Sequence, residues 1–361
     1  MEASERVLGF VAEWFDPHPQ IIKKYLLKYY CETCEVEMKD LTNGRKFLKK
    51  TKVPPSIKET DFFVGANILL LSRDLKLIDY ADDATRKLLD NADERTVCVL
   101  SPALYDSMGS VIEMIESAGY TLVDLKSTTL MDMGDVEAAA ALMNVELSEL
   151  ARPEPLVVVS FRGANVIAGV RKIVSTSSFA SLGAVCPNDA EEVTQFVNFF
   201  LKNRPTTATL EECTCCVIKP RAITDRMVGS IIDNIASRGF VVTAVQTLRM
   251  ERAASAEFLE VYDGVVPEYK EMVNEMCSGP VIALEIRLNP SISSSGEDVV
   301  DVFRSHAGPW DETMAKEIAP ESIRGMFGNV VHCTDLPKDG VVEVEYFFSI
   351  LAGSNYIDGW K

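Results

Sequence analysis

The sequence predicts a mixed α+β chain in three segments: a largely β segment over residues 1–90, then two copies of one α/β unit over residues 91–203 and 204–361. Three observations carry this. Asn43-Gly44 stands between two part-alternating runs, residues 36–40 and 45–48, which is the strongest short-range hairpin signal. The order strand, helix, strand that begins at Arg95 begins again at Cys213. At 361 residues the chain is also too long for one core of ordinary size, so two or three domains are expected.

In the first segment, the runs Ile68-Leu-Leu-Leu-Ser72 and Lys76-Leu-Ile-Asp-Tyr80 read as further strands, and Pro54-Pro55 interrupts pairing. From Ala81 the pattern turns polar and helical as far as Leu89, which sets a boundary near residue 90. Residues 21–58 hold ten Lys and Arg against four acids in an otherwise acidic chain. They are either solvated strand faces or an electrostatic footprint for an acidic protein surface.

The repeat is then explicit. Arg95-Thr-Val-Cys-Val-Leu-Ser101-Pro102 parallels Cys213-Thr-Cys-Cys-Val-Ile-Lys219-Pro220, and both read as short buried strands. Each is followed by a helix pattern that starts at Gly109 or Gly229 and stops at Gly119 or Gly239, as a helix C-terminus prefers. Strands over 121–125 and 241–245, and later over 156–159 and 281–284, complete an α/β sandwich order in each copy. Two such copies can pack as a pseudo-dimer.

Composition narrows the function. A content of 47% hydrophobic and 25% charged residues describes a globular protein, and no apolar run is long enough to span a bilayer. Without an apolar signal core near Glu2 and Glu5, a cytosolic location is expected. A net charge of -18 argues against nucleic-acid binding, which needs a basic footprint. Nine cysteines without a regular framework are expected to be reduced thiols. Cys31-x-x-Cys34 lacks the two further ligands of a zinc site, so no protein-ligated metal is expected.

The densest polar chemistry lies at Asn329-Val-Val-His332-Cys-Thr334-Asp335, followed by Glu343. A lone imidazole at such an apolar to polar boundary is either a satisfied core histidine or a nucleophile. The spacing resembles the phosphohistidine motif of nucleoside diphosphate kinases. That resemblance implies a ferredoxin-like antiparallel sheet in each copy, His332 as the nucleophile, Glu343 orienting its ring and Thr334 steadying that carboxylate. It also implies Lys219 and Tyr262 near the phosphates, Arg304 and Arg324 on the β and γ oxygens, Asn329 on the sugar, and Mg²⁺ accompanying ATP or the nucleoside diphosphate. It makes the stretch 341–351 a helix, which periodicity alone leaves open between helix and strand. Three positions depart from the pattern: Arg324 and Asn329 are unusually close, Trp310 stands where a Thr is common, and the base-stacking Phe is missing unless Tyr269 replaces it.

The first copy has Ser101 where the second has Lys219, and Cys186-Pro-Asn-Asp189 is read against His332-Cys-Thr-Asp335. Pro155 and Cys186 are also closer in sequence than Pro280 and His332, so this copy is expected to be a degenerate packing or docking domain. The first ninety residues, through Phe10-Val-Ala-Glu-Trp-Phe-Asp16, Arg45-Lys-Phe-Leu-Lys-Lys-Thr51 and Leu77-Ile-Asp-Tyr80, resemble the DM-ten domain, a pleckstrin-homology-like β fold of ciliary proteins. The combination implies an axonemal structural protein that meets tubulin or other doublet-microtubule proteins. The alternative is an active kinase tethered in the cilium. Lipid binding through the first domain rests on fold analogy alone. His18 and His306 are expected to face solvent without a role.

Overall fold

Several strands between residues 21 and 80 bury alternate side chains, the period that a half-covered sheet imposes. The strand Ile21–Tyr30 shows it plainly, burying Tyr25, Leu27 and Tyr29 while Lys28 stays in solvent. The computed structural model of the chain describes residues 6–352 apart from 17–18, 55–56, 72, 91–93, 153, 203, 290–295 and 297. His18 therefore lies outside the described residues. By internal contacts the chain divides into two units, residues 1–93 and 94–361.

In the first unit, strands β1 (Val7–Asp16), β2 (Ile21–Tyr30), β3 (Glu35–Asp40), β4 (Lys46–Lys52), β5 (Asn67–Leu70) and β6 (Arg73–Tyr80) form a sheet in the order β4-β3-β2-β1-β6-β5. Its core mixes aliphatic and aromatic side chains, with Tyr29 stacked on Phe62 at 4.1 Å between ring centroids. The hairpin expected around Asn43-Gly44 joins β3 to β4. Asp40 accepts from the backbone N–H groups of Thr42 and Asn43, and Gly44 takes the left-handed φ of +69° that its lack of a Cβ permits. The basic strands are partly neutralised across the ladder: Lys24 lies opposite Glu13 in register and pairs with it at 3.0 Å, and Lys46 pairs with Glu37 at 2.9 Å.

The second unit contains the repeat. Its strands are β7 (Arg95–Leu100), β8 (Thr121–Thr128), β9 (Leu156–Arg162), β10 (Ala184–Val185), β11 (Thr214–Ile218), β12 (Phe240–Arg249), β13 (Pro280–Leu288) and β14 (Val331–Cys333). They form one sheet in the order β10-β7-β9-β8-β12-β13-β11-β14. Read outward from the centre, each half has its second, third, first and fourth strand, so the second half mirrors the first. This is the strand order of a split β-α-β-β-α-β unit. The seam is the β8–β12 edge, where Gln246 faces Lys126 and the Thr247 hydroxyl accepts the backbone N–H of Leu125 at 2.8 Å.

Across the seam the helices Met108–Ser117 and Val228–Ser237 cross at their glycines. A Cβ on Gly229 would lie 2.2 Å from the backbone N of Glu113, and one on Gly109 would lie 2.2 Å from Oδ1 of Asp233. Glu113 and Asp233 occupy equivalent places in the two helices, so the contact is nearly symmetric. Only the first helix adds a buried acid, Glu116, whose Oε2 accepts the Gly229 N–H at 2.9 Å.

Candidate active site

β11 is buried at every position and ends at Lys219-Pro220, where proline opens a short helix and stops the strand. On its outer side β14 pairs antiparallel with it, His332 opposite Val217, which holds the imidazole at the sheet edge. Directly behind it, the stretch 340–351 is helical, as the family resemblance implies, but in two forms: Gly340–Glu345 is α-helix and Tyr346–Leu351 is π-helix.

That helix carries Glu343 to the ring. His332 Nε2 lies 3.0 Å from Glu343 Oε2, and the Thr334 hydroxyl donates to the same oxygen at 3.1 Å. Thr334 in turn accepts the backbone N–H of Cys215 at 3.1 Å, so the carboxylate is fixed from two sides. Assigning the Nε2 proton to this bond leaves Nδ1 as the nitrogen with a free lone pair. The ring is 8% exposed and lies edge-on to Phe258, with 4.8 Å between centroids.

His332 opens onto a cavity of about 660 Å³ whose wall also includes Lys219, Tyr262, Arg304 and Arg324. Lys219 is buried and donates to Glu275 Oε2 at 3.0 Å and to the backbone and side-chain oxygens of Asn329 at 3.1 Å each. Burial holds its ammonium below the ordinary lysine range, and the Glu275 carboxylate opposes that fall. Arg304 donates to the Asp335 carbonyl at 2.7 Å and lies 3.5 Å from its carboxylate. Tyr262 gives its hydroxyl proton to that same carboxylate rather than standing against Lys219, and burial followed by Asp335 raises the phenol pKa.

Arg324 is 7% exposed and spends its terminal nitrogens on Gly308 O at 2.7 Å, Val331 O at 3.1 Å and Cys333 Sγ at 3.7 Å. Its Nε is buried and has no hydrogen-bond partner among the described residues. Asn329, Thr334 and Glu343 stand behind the wall, holding Lys219 and His332. Trp310 is on the wall, 41% exposed, in the place where the pattern leads one to expect a Thr. Tyr269 is not: its hydroxyl donates to Ala256 O, and Leu259 and Val266 supply the apolar wall instead.

Three contributors escaped the sequence reading. Phe258 and Glu275 lie far from the histidine motif in sequence and belong to no local pattern. Asp335 lies within the motif, but its role as the shared partner of Arg304 and Tyr262 depends on elements distant in sequence.

Two sequence expectations need correction. His306 does not simply face solvent: it stacks on Phe240 at 5.6 Å, and burial pushes its pKa down to about 4. Cys186 is not the structural counterpart of His332. In the first copy Val185 faces Val99, the equivalent of the Val217 that faces His332, so Val185 takes the imidazole's place and Cys186 that of Cys333. Asp189 and Asp335, which end the two matched runs, are thus offset by one residue in the strand register. Ser101, at the place of Lys219, donates to Leu182 O at 2.7 Å and fastens the turn before β10.

A family model for nucleoside diphosphate kinase matches residues 212–351. The chain is similar to Nucleoside diphosphate kinase homolog 7 of Mus musculus, at 35% identity with 96% of this chain and 94% of that protein covered. The Rattus norvegicus protein of the same description is 34% identical with the same coverage. A nucleoside diphosphate kinase of Aquifex aeolicus is 32% identical and covers 38% of this chain and 94% of its own length.

Proposed function

Because the chain belongs to the nucleoside diphosphate kinase homolog 7 family, we propose that it is an axonemal scaffold of ciliary doublet microtubules whose second copy retains phosphotransfer through His332. The observation that carries the chemistry is His332, fixed from behind by Glu343, on the wall of a cavity that Lys219, Arg304 and Arg324 also line.

In the first half-reaction the Nδ1 lone pair attacks the γ-phosphorus of ATP, the bond from that phosphorus to the β-bridging oxygen breaks, and ADP leaves. In the second, a terminal oxygen of a nucleoside diphosphate takes the phosphoryl group and the imidazole departs. Glu343 holds the Nε2 proton throughout, which stabilises the ring as it gains positive character. Lys219 and the two guanidinium groups face the charge that spreads over the transferring oxygens, and Mg²⁺ arrives on the nucleotide as part of the substrate. To do so Lys219 must exchange at least one of its three present acceptors for phosphate. The test is labelling with γ-labelled ATP: an acid-labile phosphoenzyme that disappears in His332→Ala supports the reading, and no label on the folded wild-type chain rejects it.

The scaffold role is favoured by the first copy, where Ser101 and Val185 stand in place of the lysine and histidine, and by the basic strands β2 to β4, which suit an acidic surface such as tubulin's. Retention of the tagged chain in salt-washed axonemes supports it. A diffuse cytosolic signal in ciliated cells counts against it.

A further inference from the structure

The outer strand pairs of the two copies repeat more than their backbone bonds. In the second copy Cys216 faces Cys333 across the ladder. The Lys219 N–H donates to Val330 O at 2.9 Å and the Thr334 N–H to Cys215 O at 3.2 Å, so the rung at Cys216 and Cys333 is one without hydrogen bonds. In the first copy Ala184 faces Leu100, Val185 faces Val99, and the Ser101 N–H donates to Gly183 O at 3.0 Å. Continued by one residue past β10, that register sets Cys186 opposite Cys98, again in the class without hydrogen bonds, and Cys186 packs against the buried cluster that contains Cys98. At such a rung the Cα atoms approach to roughly 4.5 Å, inside the span that a disulfide bridges. Both copies therefore hold a cysteine pair at one equivalent rung, including the copy without the imidazole and the lysine.

Both cysteines of the first pair are free thiols, Cys98 buried and Cys186 partly exposed. Among the described residues no group of three or more His, Cys, Asp or Glu is placed to hold a metal ion, so neither pair forms part of such a cluster. We infer that Cys98 and Cys186 are a redox-active dithiol, closed by hydroperoxides to a disulfide that locks β10 onto β7 and reopened by thiol exchange.

The Cys186 thiolate attacks one peroxide oxygen, the O–O bond breaks, and a sulfenic acid forms with release of an alcohol, or water from hydrogen peroxide. The Cys98 sulfur then attacks the sulfenic sulfur. The S–O bond breaks, the S–S bond forms, and the hydroxyl leaves as water with the Cys98 proton. The two electrons that reduce the peroxide come from the sulfur pair. Access decides the order of events, because Cys186 meets solvent while Cys98 can act only as the resolving partner. The pair Cys216 and Cys333 is buried on both sides and reacts later.

The experiment treats the reduced full chain with stoichiometric hydrogen peroxide, blocks remaining thiols by alkylation, and maps peptides without reduction. The expected result is a crosslinked peptide joining Cys98 to Cys186, lighter by two hydrogens, cleaved by dithiothreitol and absent from Cys186→Ser. Recovery of Cys186 as the alkylated thiol, as a sulfinate or joined to any other cysteine overturns the inference. A second reading comes from Cys98→Ala, in which a sulfenic acid stranded on Cys186 should be trapped by dimedone in several-fold greater yield than in the wild type. An equal or lower yield in a folded variant also overturns it, and the wild-type map decides alone if that variant does not fold.

Discussion

The two copies of the second unit share a strand order, a helix crossing and an outer ladder, yet they use the strand ends in opposite ways. The second copy ends β11 on Lys219 and places His332 opposite Val217, leaving cations and an imidazole around an open cavity. The first ends β7 on Ser101, which bonds the turn before β10, and fills the histidine's place with Val185. The difference teaches that the sheet depends on buried apolar runs such as Val97–Leu100 and Cys215–Ile218, whereas the chemistry depends on a few positions just past them. Those positions can change without disturbing the core, so one scaffold holds a cavity lined by cations and an imidazole in one copy and neither lysine nor imidazole at the equivalent places in the other.

That comparison breaks most visibly at the nucleophile. His332→Ala should bring phosphotransfer to background, because no second imidazole stands at the equivalent rung; residual turnover measured in a coupled assay would mean the first copy is not closed. Lys219→Ala and Arg304→Ala should each lower kcat by roughly 100- to 1000-fold, the effect of losing one preorganised donor. Ser101→Ala should leave the rate unchanged, and a fall there would assign the first copy a catalytic share.

The seam tests what the copies have in common. Gly229→Ala places a methyl group against the Glu113 backbone, where no side chain can move aside, and should cost roughly 3 kcal/mol, read by urea unfolding. The smallest effect concerns the one acid that breaks the seam's symmetry. Burial pushes Glu116 up to about 7, against the hydrogen bond from Gly229 and the positive charge of Arg226, while Glu113 reinforces the rise. The folded state therefore favours its protonated form. Its full stability contribution is present below the unfolded value of 4.5 and is lost as the pH rises through about 7. Glu116→Gln should remove about 2 kcal/mol of the fall in stability between about pH 5 and pH 7, and an unaltered slope would deny the shift.

Much of this was legible in the sequence because it is written in short periods. The repeat at Arg95 and Cys213, the Asn43-Gly44 hairpin and the spacing from His332 to Glu343 are all local patterns. The cavity wall was less legible. Glu275 and Phe258 reach the site through the packing of separate helices, and nothing near them in sequence announces it. The alignment of Cys186 with His332 failed for a related reason: strand register is set by backbone bonds such as that from Ser101 N to Gly183 O, not by the nearest matching aspartate. The switch from α- to π-helix at Tyr346 leaves no periodic trace in so short a stretch.

The claim on which the rest depends is that a single chain carries one nucleotide site, at Lys219 and His332. Calorimetric titration of the full chain with Mg²⁺–ADP tests it most directly. One mole bound per mole of chain, lost in Lys219→Ala, is the predicted result; two moles, or one mole that survives the substitution, would contradict it.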